Sequence, residues 1–129
     1  MIIDTSAVVA ILFGEPEQRR FAELIHDREP RLMSAASVLE TSLVVEASFG
    51  ESAGRDFDLF LVEAEIEIVD VDREQIDAAR SGWRRYGKGR HPAALNFGDC
   101  LVYGLAKVTG EPLLAKGKDF RLTDIPMCV

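Results

Sequence analysis

The strongest indication of the fold class is the segment Met1-Ile2-Ile3-Asp4-Thr5-Ser6-Ala7. A short apolar run ends in a carboxylate and is followed at once by a mostly apolar helical segment, a pattern typical of a buried strand that enters a helix. An ionised carboxylate avoids apolar surroundings unless a cation compensates it. We therefore expect Asp4 to lie at the carboxyl end of a buried strand, where open parallel sheets bind their ligands.

The same alternation of apolar runs and helical segments continues along the chain. It predicts strands over residues 1–4, 31–34, 66–71 and 112–115, and helices over residues 6–13, 17–27, 36–49, 54–64, 73–86 and 98–108. Strands that alternate with helices form βαβ units, in which parallel strands are covered by helices on both faces. The predicted class is α/β, a three-layer sandwich around a mostly parallel sheet of four or five short strands. Residues 122–129 fit either an irregular tail or a last edge strand.

Length and composition predict one domain over residues 1–129. The two cysteines are too few for a disulfide framework or a cysteine zinc site, which favours a reducing, cytoplasmic location. The charge of Asp4 interrupts the first apolar run before it could act as a signal peptide, and no apolar run is long enough to span a bilayer. We therefore expect no membrane association.

The net charge of −7 argues, taken alone, against a nucleic-acid partner. Its distribution changes that conclusion, because residues 78–98 contain no acid and five cations. We call this segment the basic strip; its cations are Arg80, Arg84, Arg85, Lys88 and Arg90. Such a strip fits either a phosphate-binding surface or a solvated helix face.

Four acids stand where acids are unusual, and each also has an ordinary explanation. Asp4 could cap the following helix, and Glu40 could lie at the edge of its apolar helix beside an arginine rather than alone on a packing face. Asp99 could favour a helix dipole in a first turn capped by Asn96, and Asp119 could belong to a surface turn. If all four instead meet at one sheet edge, their mutual repulsion requires a cation between them.

The type of cation follows from the ligands that the chain offers. The chain has only two histidines and no suitably placed cysteines, so a zinc site is not expected. Carboxylate oxygens suit Mg²⁺ or Mn²⁺ instead.

These residues carry a resemblance to a known family over the full length of the chain. The segments Met-Ile-Ile-Asp-Thr-Ser-Ala, Ser-Ala-Ala-Ser-Val-Leu-Glu-Thr, Leu-Asn-Phe-Gly-Asp-Cys and Leu-Leu-Ala-Lys-Gly-Lys-Asp-Phe resemble, in order and spacing, PIN-domain ribonucleases of the VapC toxin type. The resemblance implies a PIN-like sandwich and Mg²⁺-dependent or Mn²⁺-dependent cleavage of RNA by an activated water. It also implies a VapB-type antitoxin that blocks the metal site, and a homodimer.

Position by position, the resemblance makes Asp4 and Asp99 catalytic acids that bind the metal directly. It makes Glu40 a catalytic acid that binds the metal directly or through a water, and Asp119 the fourth catalytic acid. Thr5 and Ser6 would hydrogen-bond the acids or metal waters, and Asn96 would orient Asp99. Many relatives carry the fourth acid two residues earlier, at Gly117, and a hydroxyl residue at Ala115. Either Asp119 reaches the metal from its later position or a fourth acid is dispensable. RNA would lie on the basic strip and on the lysines that follow the last predicted strand. The candidates for binding its backbone are Arg80, Arg84, Arg85, Lys88 and Lys116. Trp83 or Tyr86 would stack a base.

Two other functional classes remain as alternatives. A signalling receiver domain has a similar length and sheet, but it needs paired acids after the first strand and a phosphoacceptor aspartate after the third. The nearest candidates for the latter, Asp56 and Asp58, fall in a predicted helix. A non-catalytic PIN module that only binds protein is the second alternative, and the presence of Asp4, Glu40 and Asp99 argues against it. An Asp-x-Asp phosphatase is excluded because Thr5-Ser6 follows Asp4.

Overall fold

The computed structural model describes Met1–Val129, with four strands, six α-helices and one 3₁₀ turn. The strands are β1 (Ile2–Ile3), β2 (Leu32–Ser34), β3 (Glu67–Val69) and β4 (Leu113–Leu114). The helices are α1 (Thr5–Leu12), α2 (Gln18–Asp27), α3 (Ala35–Phe49), α4 (Glu51–Glu63), α5 (Arg73–Tyr86) and α6 (Phe97–Thr109), and the 3₁₀ turn is Phe120–Leu122. None of the helices is both long and apolar enough to cross a membrane.

The four strands form one parallel sheet in the order β3-β2-β1-β4. The register pairs Ile2 with Leu32 on one side and with Leu113 on the other, so β1 is central. All carboxyl ends of the strands consequently lie along one edge of the sheet. The predicted α/β sandwich with a parallel sheet and helices on both faces is confirmed.

Successive residues of each strand face opposite sides of the sheet, as strand geometry requires. Two separate cores result. Ile3, Met33 and Leu114 pack with side chains of α1, α2 and α4 on one face, whereas Ile2, Leu32 and Leu113 pack with α5 and α6 on the other. This arrangement explains why β1 and β4 are continuous apolar runs. The edge strand β3, in which Glu67 and Ile68 are exposed, belongs to the segment that alternates apolar and acidic residues.

Helices α5 and α6 pack closely because glycines stand at their contact. A Cβ at Gly104 would come within 2.3 Å of the Gln75 carbonyl oxygen, and one at Gly82 within 2.4 Å of the Tyr103 ring. Because these two positions have no side chain, α6 packs tightly against α5. This packing fixes the position of α6 and of the segment that begins at Asn96.

The structure differs from the prediction at the start of the fourth helix, and it decides between the two alternatives for the tail. Helix α4 begins directly after Gly50, whose φ of +81° ends α3, and Gly54 lies inside α4 rather than in a turn. The C-terminal tail forms no last strand. It contributes one isolated parallel bridge, between Met127 and Leu113, after the 3₁₀ turn.

Candidate active site

Asp4 lies where β1 ends, next to the end of β4. Its backbone N–H donates to the Leu114 carbonyl at 3.0 Å, which continues the sheet by one residue. Ser6 joins the two strand ends, because its hydroxyl donates to Asp4 Oδ2 at 2.6 Å and accepts from the Lys116 backbone N–H at 2.9 Å. Ser6 thus makes the contact to an acid that the sequence predicted.

Asp4 also caps helix α1, which is its ordinary explanation. The Ser6 backbone N–H donates to Asp4 Oδ2 at 3.0 Å. The Asp4 residue is only 7% exposed, and this burial raises the pKa of its carboxyl group. The hydrogen bonds from Ser6 oppose that rise, and the charge of Glu40 adds to it. A cap needs one oxygen, so the other Asp4 oxygen remains available to a ligand.

Asp99 is fixed in the first turn of α6 by a reciprocal pair of hydrogen bonds with Asn96. The Asp99 backbone N–H donates to Asn96 Oδ1 at 2.9 Å, and the Asn96 backbone N–H donates to Asp99 Oδ2 at 3.1 Å. The orienting role predicted for Asn96 therefore has a structural basis. Burial raises the pKa of Asp99 to about 6, and the charges of Asp4, Asp119 and Glu40 contribute to the rise.

Glu40 reaches this site from α3. Its Oε2 lies 2.8 Å from the place that a Cβ at position 98 would occupy, so the absence of a side chain at Gly98 makes room for the carboxylate beside the start of α6. The prediction that Glu40 is a lone charge on a packing face is wrong, because its neighbours Leu43 and Val44 are 60% and 37% exposed. The core face of α3 is instead formed by Ser37, Thr41 and Val45.

The Thr5 hydroxyl does not contact the acids; only the Thr5 backbone N–H acts on Asp4, where it opposes the rise of the pKa. Its hydroxyl donates to the Ser37 carbonyl at 3.2 Å and accepts from the Thr41 hydroxyl at 3.0 Å, and all three residues are buried. Buried hydroxyls need such partners. Thr5 therefore fixes α1 against α3, the helix that carries Glu40, and positions the site indirectly.

Asp119 lies on the exposed stretch between β4 and the 3₁₀ turn. It is near enough for its charge to raise the pKa of Asp99, so the structure places it on the same side of the sheet as the other three acids. None of the four acids forms an ion pair with a lysine, arginine or histidine. The protein thus concentrates negative charge here without compensating it.

The acids of this site suit a divalent cation that keeps several of its waters better than one that is bound entirely by protein ligands. No group of three or more histidine, cysteine, aspartate or glutamate side chains is arranged to hold a metal ion. Zinc and calcium sites need more protein ligands than that, whereas Mg²⁺ is commonly bound by one or two carboxylates and several waters. Asp4 and Asp99, both held in place and both with pKa values raised by burial, are the residues that such a cation would compensate.

The cations predicted to bind RNA fall into two groups. Arg85 pairs with Asp124 at 3.3 Å, and Lys116 pairs with Glu15 and Glu17 at 3.0 and 3.2 Å. The others, Arg80, Arg84 and Lys88, have no acidic partner and line a cavity between α5 and α6. An anionic ligand therefore meets three free cations on this side of the site.

The two aromatic residues of the basic strip, Trp83 and Tyr86, lie in different environments. Tyr86 is buried in the core, which is the more ordinary of its two roles, whereas Trp83 is 44% exposed and lines the cavity between α5 and α6. Sequence reasoning missed Phe97, which is 83% exposed two residues before Asp99. Its position directly after Asn96, a residue typical of helix N-caps, was the available signal that Phe97 lies at the end of a helix.

Comparisons with known proteins agree on the family. Residues 1–126 match the PIN domain family. Ribonuclease VapC30 of Mycobacterium tuberculosis is 57% identical over 125 residues, which cover 97% of this chain and 95% of that protein. The structure of M. tuberculosis VapC20, titled as a sarcin-ricin loop cleaving toxin, matches with a TM-score of 0.77 at 16% identity and covers 96% of this chain and 95% of the other.

A third match is a chain of VapBC2 from Rickettsia felis, solved bound to a DNA fragment from its promoter. It has a TM-score of 0.75 at 18% identity and covers 98% of this chain and 95% of the other. At such low identities the two solved structures show only that the fold is shared. The family is shown by the PIN-domain match over residues 1–126 and by the 57% identity to VapC30, both of which extend over nearly the whole chain. The chain therefore belongs to the PIN-domain family, among its VapC-type ribonucleases.

Proposed function

We propose that this protein is the toxin of a toxin–antitoxin pair, a single PIN domain that cleaves RNA phosphodiester bonds internally with the help of Mg²⁺ or Mn²⁺. The observation that carries the proposal is that the charges of Asp4, Glu40 and Asp119 raise the pKa of Asp99, while none of these four acids forms an ion pair with a cationic side chain. The 57% identity to a protein named as a VapC ribonuclease supports the same reaction class.

The residues at this site would have different roles in the reaction. Asp4 and Asp99 would hold the cation, and each is already oriented by its hydrogen bonds to Ser6 and Asn96. Glu40 is exposed beside Gly98 and would accept a hydrogen bond from the attacking water and orient it. A bound divalent cation supplies a water of lowered pKa and offsets the charge that develops on the phosphate. The cleaved RNA would carry 5′-phosphate and 3′-hydroxyl ends.

The test of this proposal is to map RNA ends after a short pulse of expression in a bacterial host. We expect new 5′-phosphate ends at a small number of positions, accompanied by arrest of growth. Ligation of an adapter that requires a 5′-phosphate detects these ends, and parallel expression of the Asp99→Asn variant controls for nucleases of the host. Ends that are the same with both proteins, or new ends with 5′-hydroxyl groups, would contradict the proposed reaction.

The unpaired cations give a further prediction about RNA binding. The Arg80→Ala/Arg84→Ala double variant should lose about two phosphate contacts, and each contributes about 0.7 to the slope of log K against log salt concentration for a single strand. We therefore expect the slope to become shallower by about 1.4, as measured by filter binding across a salt series. Arg85→Ala is the matched control, because the Arg85 guanidinium already pairs with Asp124. An equal change in both proteins would remove the unpaired arginines from the RNA interface.

The exposed apolar side chains support protein partners. Leu59 and Val62 on α4 are 55% and 74% exposed, and Leu39 and Leu43 on α3 are 61% and 60% exposed. Surfaces of this kind mark interfaces with other chains. We include in the proposal a VapB-type antitoxin, by analogy with the VapBC2 match, and a homodimer of the toxin.

The receiver-domain alternative finds no support in the structure. Asp56 and Asp58, its candidate phosphoacceptors, lie within α4, away from any strand end. Asp4 is followed directly by α1 and has no adjacent acid. The acids whose charges raise the pKa of Asp99 instead come from the end of β1, from α3 and from the segment after β4, and none of them follows the third strand.

A further inference from the structure

A cavity of about 670 Å³ lies between α5 and α6, beside the acidic site. This volume falls within the range of sites that bind small molecules or parts of larger ligands. Its floor is apolar and includes Ala79, Leu95 and Cys100, all of them buried. A hydrophobic floor of this kind accommodates a flat apolar group better than a hydrated ion.

Two aromatic side chains stand at the walls of this cavity and remain exposed. Trp83 is 44% exposed and Phe97 is 83% exposed. The Arg90 guanidinium lies over the Trp83 ring at 4.1 Å from its centroid, so a cation already covers part of the indole. Exposed aromatic rings on a cationic surface are the usual platform on which unpaired bases stack.

The charges around the cavity select an anionic ligand. Arg80, Arg84 and Lys88 line it and have no acidic partner, on a chain whose net charge is −7. An apolar peptide segment would use the floor but would leave these cations unpaired. A nucleotide uses both features, since its base is flat and apolar on its faces and its phosphates are negative.

The cavity also shares residues with the surroundings of Asp99 and Glu40. Asn96, which holds Asp99 through the two hydrogen bonds described above, is part of the cavity lining. Phe97 lines both this cavity and a second one of about 460 Å³ that contains Glu40. A ligand in the first cavity therefore contacts residues of the same helical turn as Asp99.

We propose that the cavity between α5 and α6 binds one unpaired RNA base, stacked on Trp83 and Phe97, while Arg80, Arg84 and Lys88 hold the adjoining phosphates. This inference rests on the proposed ribonuclease function and specifies the substrate as RNA with an extruded or single-stranded base next to the cleaved bond. A paired base could not enter, because it is covered on both faces by its neighbours in the helix.

Trp83 is the only tryptophan of the chain, so its fluorescence reports directly on the cavity. The full protein is titrated in EDTA with a single-stranded oligoribonucleotide and with an abasic oligomer of the same length and charge. We expect saturable quenching by the first oligomer and little or none by the second, which should also bind about tenfold more weakly, as expected for the loss of one stacked base.

Variants of Phe97 test the second wall without endangering the fold, because this side chain is largely exposed. Phe97→Leu should weaken binding of the oligoribonucleotide about tenfold, and Phe97→Tyr should restore it. Phe49→Leu, at another exposed aromatic residue outside the cavity, is the matched control and should leave the affinity unchanged.

The outcomes separate this inference from the function on which it rests. Equal quenching by both oligomers, or unchanged affinity in Phe97→Leu, would overturn the base-binding cavity even if the protein still cleaved RNA in Mg²⁺. Quenching that is specific for bases, without any cleavage in Mg²⁺, would keep the cavity and contradict the ribonuclease proposal. A fluorescence change with purified antitoxin and none with RNA would assign the cavity to a protein partner and overturn the inference.

Discussion

Replacing Asp99 by asparagine should reduce RNA cleavage by about a thousandfold, equivalent to roughly 4 kcal/mol of transition-state stabilisation. The asparagine keeps an oxygen that can accept the hydrogen bond from the Asn96 backbone N–H, so the start of α6 should remain intact. Only the negative charge that would hold the cation is lost. A fluorogenic RNA assay in Mg²⁺ measures the effect, and Asp77→Asn, at an exposed acid of α5, is the matched control.

The same variant should be more stable than the wild type at neutral pH in the absence of divalent cations. Because the pKa of Asp99 is about 6 in the folded protein and 3.8 is its ordinary value, ionisation of Asp99 destabilises the fold as the pH rises from about 4 to 6. Asparagine does not ionise, so the gain should be complete above pH 6 and should vanish below pH 4. After allowance for partial exposure and for the lost attraction to the helix dipole, we expect about 1 kcal/mol, or roughly 4 °C in Tm.

Thermal unfolding at pH 4 and pH 7.5 measures this difference. A gain of equal size at both pH values would show that the charge of Asp99 is not what destabilises the site. Cleavage at the rate of the wild type would remove Asp99 from the active site altogether.

Removal of divalent cations should abolish cleavage, and Mg²⁺ or Mn²⁺ should restore it. The reason is that the acids at the sheet edge repel one another and the phosphate of RNA until a cation compensates them. The same cations should raise the Tm of the wild type. At a concentration of one hundred times the Kd, they should add up to about 2.7 kcal/mol to the free energy of unfolding. A dialysed sample titrated with each metal gives both quantities.

The Asp4→Asn variant is the control for that titration, because it should lose most of the metal-dependent rise in Tm. Full cleavage in EDTA would contradict the role of the acids as cation ligands. A similar rise in Tm in Asp4→Asn would show that the cation binds elsewhere.

Much of the fold could be predicted because its signals are local. The limits of α5 match the prediction, since Asp72 caps the helix through the Gln75 backbone N–H and Gly87 follows its end. The strands were located to within one or two residues at each end, because two or three apolar residues between helical segments leave little other choice. The start of α4 was missed, since Gly54 was read as a turn although it makes room for Glu46 inside a helix pair.

The sequence suggested candidate residues for the site, but several of their contacts depend on distant parts of the chain. Helix α3 is apolar on more than one face, so its sequence could not show that Ser37, Thr41 and Val45 face the core and that Leu43 does not. The hydroxyl of Thr5 bonds to α3, a partner that only the folded chain reveals.

Charge pairing was equally invisible in the sequence. Arg85 pairs with Asp124, which lies 39 positions away in the sequence, and Lys116 pairs with Glu15, which lies 101 positions away. The basic strip therefore contains both neutralised and free cations, and only the free ones line the cavity beside the acids.

The most direct test of the account is a crystal of the wild type soaked with Mn²⁺ and measured for anomalous scattering. We expect one strong peak at the carboxyl edge of the sheet, in contact with carboxylate oxygens of both Asp4 and Asp99, and its loss in Asp99→Asn. An empty edge at saturating Mn²⁺, or a peak that touches neither aspartate, would contradict the claim that these acids share a cation.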